Sequence, residues 1–480
     1  MLAELDFRLR RVRRQLAECI SSCFGEAGIL RRSSDEEKDA RDKKLKDRRA
    51  YGLRKWTRPV ASRLVILCVV FFFCADYVIF TLNSLRWPSS APTYVPPSAS
   101  GFSPALIPSI EKVYISATHW NSAAILQNHW SAAVLDLIRI LGPQNVYVSI
   151  YESGSWDTTK DLLRGLEKQL NDMGVENTIA LDETTHMDIV NRPEPPSNSK
   201  AEGWIRTPRG KREVRRIPYL ASVRNKTLKP LEKLNKMGKK FDRIIFLNDV
   251  IFTTGDVINL LNTRNGSYAA ACALDFAHEN MFYDSFALRD LNGKTSYSSS
   301  YPYITSRLGR TALSRGEAVP VQSCWNGIAV FDAAPFQHIT KKSGSTSELS
   351  SQKGSESSPL RFRAIADSLA AYHVEGSECC LIHYDNPLTQ TKGVWINPHV
   401  RVGYNPIAHA SVRKFPKRSE ALFGWFWSMM ASAMNLPWRN GKIGKQVALW
   451  KAEDKANFEP GVACLTYEMQ VLVWNGWAHV

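Results

Sequence analysis

The hydrophobic pattern is sharpest over Lys239 to Phe252, KKFDRIIFLNDVIF. A basic lead-in gives way to a short strand-like run, Arg243 to Leu247. Polarity breaks out only at Asn248-Asp249, before Val250 to Phe252 resume. Unbroken apolar runs of this length mark a strand buried on both faces of an α/β sheet. Upstream, Lys112 to Ala117 reads as a first strand and Asn145 to Tyr151 (NVYVSIY) as a second. Between them, Ala123 to Leu141 places Ile125, Leu126, Trp130, Val134, Leu135 and Ile138 at helical spacing, and Gly142-Pro143 ends the helix. Another helix begins near Thr158, and Thr178 to Leu181 suits a third strand. This alternation predicts an α/β fold with a mostly parallel sheet and right-handed crossovers.

Residues 183–216 are polar and then basic, with Pro193, Pro195 and Pro196, and read as a loop over the sheet. A helix over Tyr219 to Met237 leads into the central strand. Beyond it come Ala269 to Phe276 and then Pro320 to Phe331, two short runs around Trp325-Asn326-Gly327. Order resumes from Phe362 to Tyr384, and Gly393 to Tyr404 is extended. The folded region thus spans 110–410, interrupted by a Ser-, Gly- and Lys-rich insertion at 341–359 expected to be disordered. The remaining residues, 411–480, are aromatic-rich, with Trp425, Trp427, Trp438, Trp450, Trp474 and Trp477. They suit a sheet-packing subdomain, a sugar-stacking surface or a membrane-proximal face.

Charge changes the picture at the N-terminus. The net charge is +16, but residues 1–63 carry 18 Lys/Arg against 10 Asp/Glu, half of the excess. That distribution fits a basic tail beside a membrane and argues against a nucleic-acid groove. The tail meets an apolar run, Leu64 to Leu82, whose 19 residues span about 28 Å as a helix, close to the hydrocarbon thickness of a bilayer. Asp76 is its one misfit. Eight Lys/Arg precede the run within residues 44–63, and only Arg86 follows within 83–102. The positive-inside rule then predicts a single-pass type II protein, with a Pro- and Ser-rich stem at 83–109 and the folded region in a lumen.

Five cysteines would be luminal: Cys272, Cys324, Cys379, Cys380 and Cys464. An odd number leaves at least one unpaired within the chain. Two sequons also fall there, at Asn225 and Asn265.

Acids fall where strands end: Asp249, Asp275, and Asp284 with Asp290 in FYDSFALRD. Glu378 follows in EGSECCLIHYDN, with His383 and Asp385 close behind. Ligands of open α/β sheets bind beyond the carboxyl ends of the strands. An acid there suits a hard cation, Mn²⁺ or Mg²⁺, held against a diphosphate. Transfer of a sugar from a nucleotide needs that neutralisation. It also needs a carboxylate near the anomeric carbon and cationic or amide groups on the donor. Asp275, Asp284 and Glu378 are the candidates for the carboxylate. Arg224, Asn225, Asn248 and Arg289 are those for donor binding.

Arg224-Asn225, a helix, and a strand ending in Asn248-Asp249 together resemble the donor-binding half of GT-A glycosyltransferases. The usual Asp-x-Asp is altered, because Leu247 stands two before Asp249. More specifically, eight segments in order are similar to the fungal family of capsule-associated and α-1,3-mannosyltransferases, glycosyltransferase family 69. They are VSIYESGSWD (148–157), FLNDVIF (246–252), ALDF (273–276), FYDSFALRD (282–290), SCWNGIAVFDAAPF (323–336), LRFR (360–363), SECCLIHYD (377–385) and NPHVRVGYN (397–405). The resemblance implies a GT-A-like, Rossmann-like domain in the Golgi lumen that moves mannose from GDP-mannose to a mannoside or polysaccharide acceptor. It implies retention and an α-1,3 linkage, with Asp249 as metal ligand, His383 completing the metal shell and Glu378 near the acceptor. The same layout would also serve a non-catalytic, membrane-tethered factor in polysaccharide assembly or export.

Overall fold

The computed structural model describes residue 67 and residues 70–86, 111–196, 202–279, 281–296, 298–337, 358–412 and 418–480. The expected tail, most of the stem and nearly all of the insertion lie outside the described residues. The chain falls into two units, Met1–Cys74 and Ala75–Val480. In the first, residues 70–74 are helical, with Val70, Phe71, Phe72 and Phe73 exposed. Among the described residues no helix is long and apolar enough to cross a membrane. The expected span, 64–82, includes residues 64–66, 68 and 69, which are outside the described set.

The second unit is built on a ten-stranded sheet. Its strands are β1 (Val113–His119), β2 (Val146–Ser153), β3 (Glu176–Asp182), β4 (Arg243–Leu247), β5 (Ala270–His278), β6 (Met281–Phe282), β7 (Arg289–Asp290), β8 (Val319–Ser323), β9 (Ile328–Asp332) and β10 (Val394–Gly403). They lie in the order β3-β2-β1-β4-β9-β5-β10-β8-β7, with β6 beside β5. β3, β2, β1 and β4 are parallel, as are β5 and β10, while β9 and β8 run against their neighbours. The sheet is mostly parallel, as the alternation of elements predicts.

Because side chains alternate across a strand, β1, β2 and β4 feed two separate cores. Ile115, Val148 and Ile245 pack with the crossover helices α1 (Ser131–Leu141), α2 (Thr159–Asp172) and, after β4, α4 (Thr254–Leu261). Tyr114, Tyr147 and Ile244 face Ala221, Leu228 and Leu231 of α3 (Arg216–Lys236) on the other side. Three longer helices, of eight residues or more, follow among the described residues: α5 (Arg307–Arg315), α6 (Glu378–Asp385) and α7 (Arg418–Glu453).

A third core joins α6, α7 and the chain's end, through Ile365, Leu381, Val447, Trp450, Leu465, Met469 and Val471. The Cys380–Cys464 disulfide ties the same parts covalently. A second disulfide, Cys272–Cys324, links β5 to the turn before β9, and Cys379 is a buried free thiol. Asp76 also finds partners in this unit. It accepts from Trp425 Nε1 at 3.1 Å and lies 3.5 Å from both Arg307 and Arg310.

Candidate functional site

Strands β1, β2, β4, β5 and β10 end at one edge of the sheet, and β9 begins there. Residues just beyond those ends therefore converge. Asn248-Asp249 follow β4, Asp275 lies near the end of β5, Tyr404 follows β10, and Trp325-Asn326-Gly327 enters β9. The Trp325-Asn326-Gly327 turn needs its sequence. Asn326 and Gly327 both adopt positive φ, and a Cβ on Gly327 would lie 2.7 Å from Val402 and 3.2 Å from Asp275.

A chain of hydrogen bonds runs across this edge. Trp325 Nε1 donates to Asn248 Oδ1 (3.1 Å), Asn248 Nδ2 to the Tyr404 hydroxyl (3.5 Å), and that hydroxyl to Asp275 Oδ2 (3.1 Å). Asp275 Oδ1 accepts from the Asp284 backbone N–H at 3.1 Å. The Asp284 carboxylate is cradled by the N–H groups of Ala287 (3.0 Å) and Asn326 (3.3 Å). Burial first, and then the charge of Asp284, push the Asp275 carboxyl up to about 8. Burial raises Asp284 too, against its two N–H donors, and the Glu378 charge adds to the rise.

Asp249 is not needed as a helix cap. Thr253 caps α4, donating its backbone N–H to Asp256 (2.8 Å) while accepting from the Asp256 N–H (3.3 Å). Around the Asp249 carboxyl, the one side-chain hydrogen bond among the described residues is a long one, 3.5 Å from Ser122 Oγ. Burial pushes this carboxyl up to about 6, despite Ser122 and the Arg224 charge. The strand end is held from below as well. A π-turn at Leu126–Trp130 interrupts the helix expected over Ala123 to Leu141, and Trp130 Nε1 donates to the Asn248 carbonyl at 3.0 Å.

On the opposite side Glu378 opens α6, almost fully buried. Arg224 Nε donates to Glu378 Oε1 at 2.9 Å, and its guanidinium lies 4.5 Å above the Trp325 ring. Arg224 also feels the charge of Asp284, so Glu378, Arg224 and the acids share one electrostatic neighbourhood.

Three expected site residues are placed otherwise. His383, expected beside Asp249, is wholly buried and stacked on Phe331, with Nε2 2.7 Å from the Cys324 carbonyl. Burial lowers its imidazole to about 4. The nearest metal-ligand side chains are Cys272 and Cys324, and those sulfurs are joined to each other. Arg289, expected on the donor, is also fully buried. It donates to the carbonyls of Phe286 (2.8 Å), Leu288 (2.8 Å), Cys464 (2.6 Å) and Ala463, which makes it a tie to the C-terminal segment. Asn225 clamps Phe362 with both ends of its amide, donating to the carbonyl (2.8 Å) and accepting from the N–H (3.0 Å).

The donor set at the edge fits a hard divalent cation. It is all oxygen, and its carboxyls are held above their ordinary range by burial and mutual repulsion. Mg²⁺ and Mn²⁺ take one or two carboxylates plus substrate phosphates, so the single acid after β4 is a sufficient protein anchor. Asp249 would hold the ion, with Asp275 and Asp284 as the acids nearest in charge.

Sequence reasoning missed Tyr404, Trp325, Asn326, Ser122 and Arg216. Tyr404 could have been found, since it directly follows a strand at the edge where ligands bind. Arg216 could not, because its contact lies 254 residues away at Gln470. A cleft of about 330 Å³ opens between α3 and the ends of β2 and β3, lined by Tyr151, Asp182, Tyr219 and Lys226 among others, and none of the four acids lines it.

A family model described as Cryptococcal mannosyltransferase 1 matches residues 112–385. The alpha-1,3-mannosyltransferase CMT1 of Cryptococcus neoformans is 30% identical over 217 residues, which cover 42% of this chain and 42% of that protein. The chain therefore matches less than half the length of that relative. Among solved structures, mannosyltransferase PcManGT from Pyrobaculum calidifontis, in complex with GDP-Man and Mn²⁺, is 11% identical with a TM-score of 0.33, over 83% of this chain and 88% of that one. GalNAc-T7 with UDP, GalNAc and Mn²⁺ is 10% identical with a TM-score of 0.32, over 71% and 55%. Likenesses this weak add nothing to the geometry above. The family match does, because it runs from the first residues of the sheet to the end of α6 and takes in all four acids: this chain belongs to the cryptococcal mannosyltransferase 1 family.

Proposed function

We propose that the protein is a retaining α-1,3-mannosyltransferase of GT-A type that uses GDP-mannose, with Mn²⁺ or Mg²⁺, and a mannoside or polysaccharide acceptor. In the same reading it is a type II Golgi membrane protein, anchored through the apolar run that begins at Leu64, with its catalytic unit in the lumen. The observation that carries the activity is the convergence of Asp249, Asp275, Asp284 and the Glu378–Arg224 pair on one sheet edge. Asp249, Asp284 and Glu378 gathered around the Arg224 guanidinium are a poor arrangement for stability alone and a good one for a cation and a positively charged transition state.

In the reaction the C1–O bond to GDP breaks and a bond from C1 to the acceptor oxygen forms on the same face. The leaving diphosphate keeps the electron pair and takes the acceptor's proton. A bound cation would neutralise that diphosphate. Asp249 holds the cation's place at the end of β4. Asn248, fixed by Trp325 and Tyr404, sets the position of the strand end. Glu378 is ion-paired with Arg224, so it acts as a negative charge and an orienting group for the acceptor, not as an acid. Asp275 is wholly buried with both carboxyl oxygens engaged, so its role is to position Tyr404 and Asp284 at the edge.

The test is transfer by the full chain in detergent, supplied with GDP-mannose, Mn²⁺ and methyl α-mannoside. Transfer that is lost in Asp249→Ala and with chelator supports the reading. Neither transfer nor donor binding, across several sugar nucleotides, would sink it.

A further inference from the structure

Three indoles stand in solvent, and the chemistry above uses none of them. Trp156 and Trp474 are each 54% exposed and Trp477 is 42% exposed. Trp156 lies in the turn after β2, with its ring 6.3 Å from that of Trp474. Trp474 and Trp477 belong to a hairpin, Gln470–Val473 paired with Gly476–His479.

This hairpin is firmly seated. Val471 and Leu472 are buried, Val471 belongs to the third core, and it bridges to Arg215 at the start of α3. Its register puts Gln470, Leu472, Trp477 and His479 on one face. That face meets Arg216, whose guanidinium lies 4.2 Å over the Trp477 ring and donates to Gln470 Oε1 at 2.6 Å. The link to the catalytic edge runs through Trp156, whose backbone N–H donates to Asn121 Oδ1 at 3.1 Å, next to the Ser122 that bonds Asp249; the Arg216 guanidinium also feels the charge of Glu378.

We propose that the C-terminal hairpin is the acceptor-binding wall of the catalytic site: Trp477, backed by Arg216, is the platform under the acceptor sugar, and Trp474 with Trp156 is the platform for the next sugar along a glycan. The inference rests on the transferase reading above. A pyranose has an apolar face of C–H bonds and a rim of hydroxyls, so it needs an aromatic face with donors and acceptors at its edge. Arg216 and His479 supply that edge, with His479 Nδ1 3.5 Å from Glu468, while the buried Gln470 holds Arg216 in place. A cluster of exposed indoles is a liability in a monomer unless something covers it. An oligosaccharide extending from the reacting sugar is the occupant that the catalytic site itself supplies.

The test compares full-length wild type with Trp477→Ala, Trp477→Phe and Trp474→Ala, all checked for an unchanged melting temperature. With methyl α-mannoside, Trp477→Ala should raise the acceptor KM at least tenfold and Trp477→Phe should recover most of it. With α-1,3-linked mannotriose, Trp474→Ala should raise KM as well. In every variant the KM for GDP-mannose should stay within twofold. A rise in the GDP-mannose KM, or no change in either acceptor KM, overturns the proposal. Should wild type prove inactive on GDP-mannose, the transferase reading fails separately, and mannotriose binding by saturation-transfer NMR decides the platform. Binding that Trp477→Ala abolishes upholds it, and no binding by wild type removes it.

Discussion

Arg224 ties α3 to α6 through Glu378: its Nε donates to Glu378 Oε1 at 2.9 Å, joining the middle of α3 to the first residue of α6. The side chains are 16% and 3% exposed. Removing one partner of such a buried pair leaves an unpaired charge and costs about 3–5 kcal/mol, whereas removing both costs much less. Arg224→Ala and Glu378→Ala should therefore each lower stability in urea by several kcal/mol, with the double variant losing less than either single one. Additive losses would mean that the two side chains do not act as a pair.

Asp249 tests the other wall. Asp249→Ala should fold normally, since Thr253 already caps α4, but transfer should fall by about 10²-fold or more. In wild type, GDP-mannose and Mn²⁺ together should raise the melting temperature more than either alone. In Asp249→Ala that joint shift should vanish. A full shift in the variant would place the cation elsewhere.

The raised acids set a pH dependence of stability. The Asp275 carboxyl sits at about 8 in the folded chain against an ordinary 3.8. The folded state therefore holds a proton that the unfolded state has released. Its stabilising contribution is complete below about pH 4 and is lost as pH rises towards 8. Asp249, at about 6, adds to the loss in the lower part of that window. Denaturation midpoints measured without metal should fall from pH 5 to pH 8. Asp275→Asn, which keeps the contacts to Tyr404 and Asp284, should flatten the slope. An unchanged slope in that variant would assign the titration to another group.

Much of this was readable in the chain. β4 appears over the residues its apolar run marks, and β1, β2, β5 and β10 lie within a few residues of expectation, because strands buried on both faces announce themselves. The acids at the carboxyl edge were readable for the same reason. His383 and Arg289 were not. A histidine five residues past Glu378 looks the same in sequence whether α6 turns it to the cleft or to Phe331, and here α6 turns it to the disulfide. Arg289 follows an acidic motif, but two of the carbonyls it serves, those of Ala463 and Cys464, lie about 175 residues further on. Contacts at that separation leave no local pattern.

Arg289 accordingly should behave as a structural residue. Arg289→Ala strips a charged donor from four buried carbonyls and should lower stability by about 3–5 kcal/mol. In the protein that remains folded, the KM for GDP-mannose should not change. A donor KM raised tenfold at unchanged melting temperature would restore Arg289 to the donor site.

The two sequons make opposite predictions from one physical argument. Oligosaccharide transfer needs the asparagine amide nitrogen free and approachable. Asn225 Nδ2 is spent on the Phe362 carbonyl while its Oδ1 accepts the Phe362 N–H, and it neighbours Arg224 beside the catalytic edge. A glycan there would have to displace both bonds and fill the site. Asn265 is exposed, in a turn with positive φ, outside all three cores. Protein purified from a secretory host should therefore carry sugar at Asn265 alone. Asn265→Gln should remove the glycan and leave the catalytic site intact. Asn225→Gln should change no glycan mass but lower stability, because a longer amide cannot make the same two bonds to Phe362. Peptide mapping decides it, and an occupied Asn225 in active protein would place Phe362 and the Arg224 wall somewhere other than where this fold puts them.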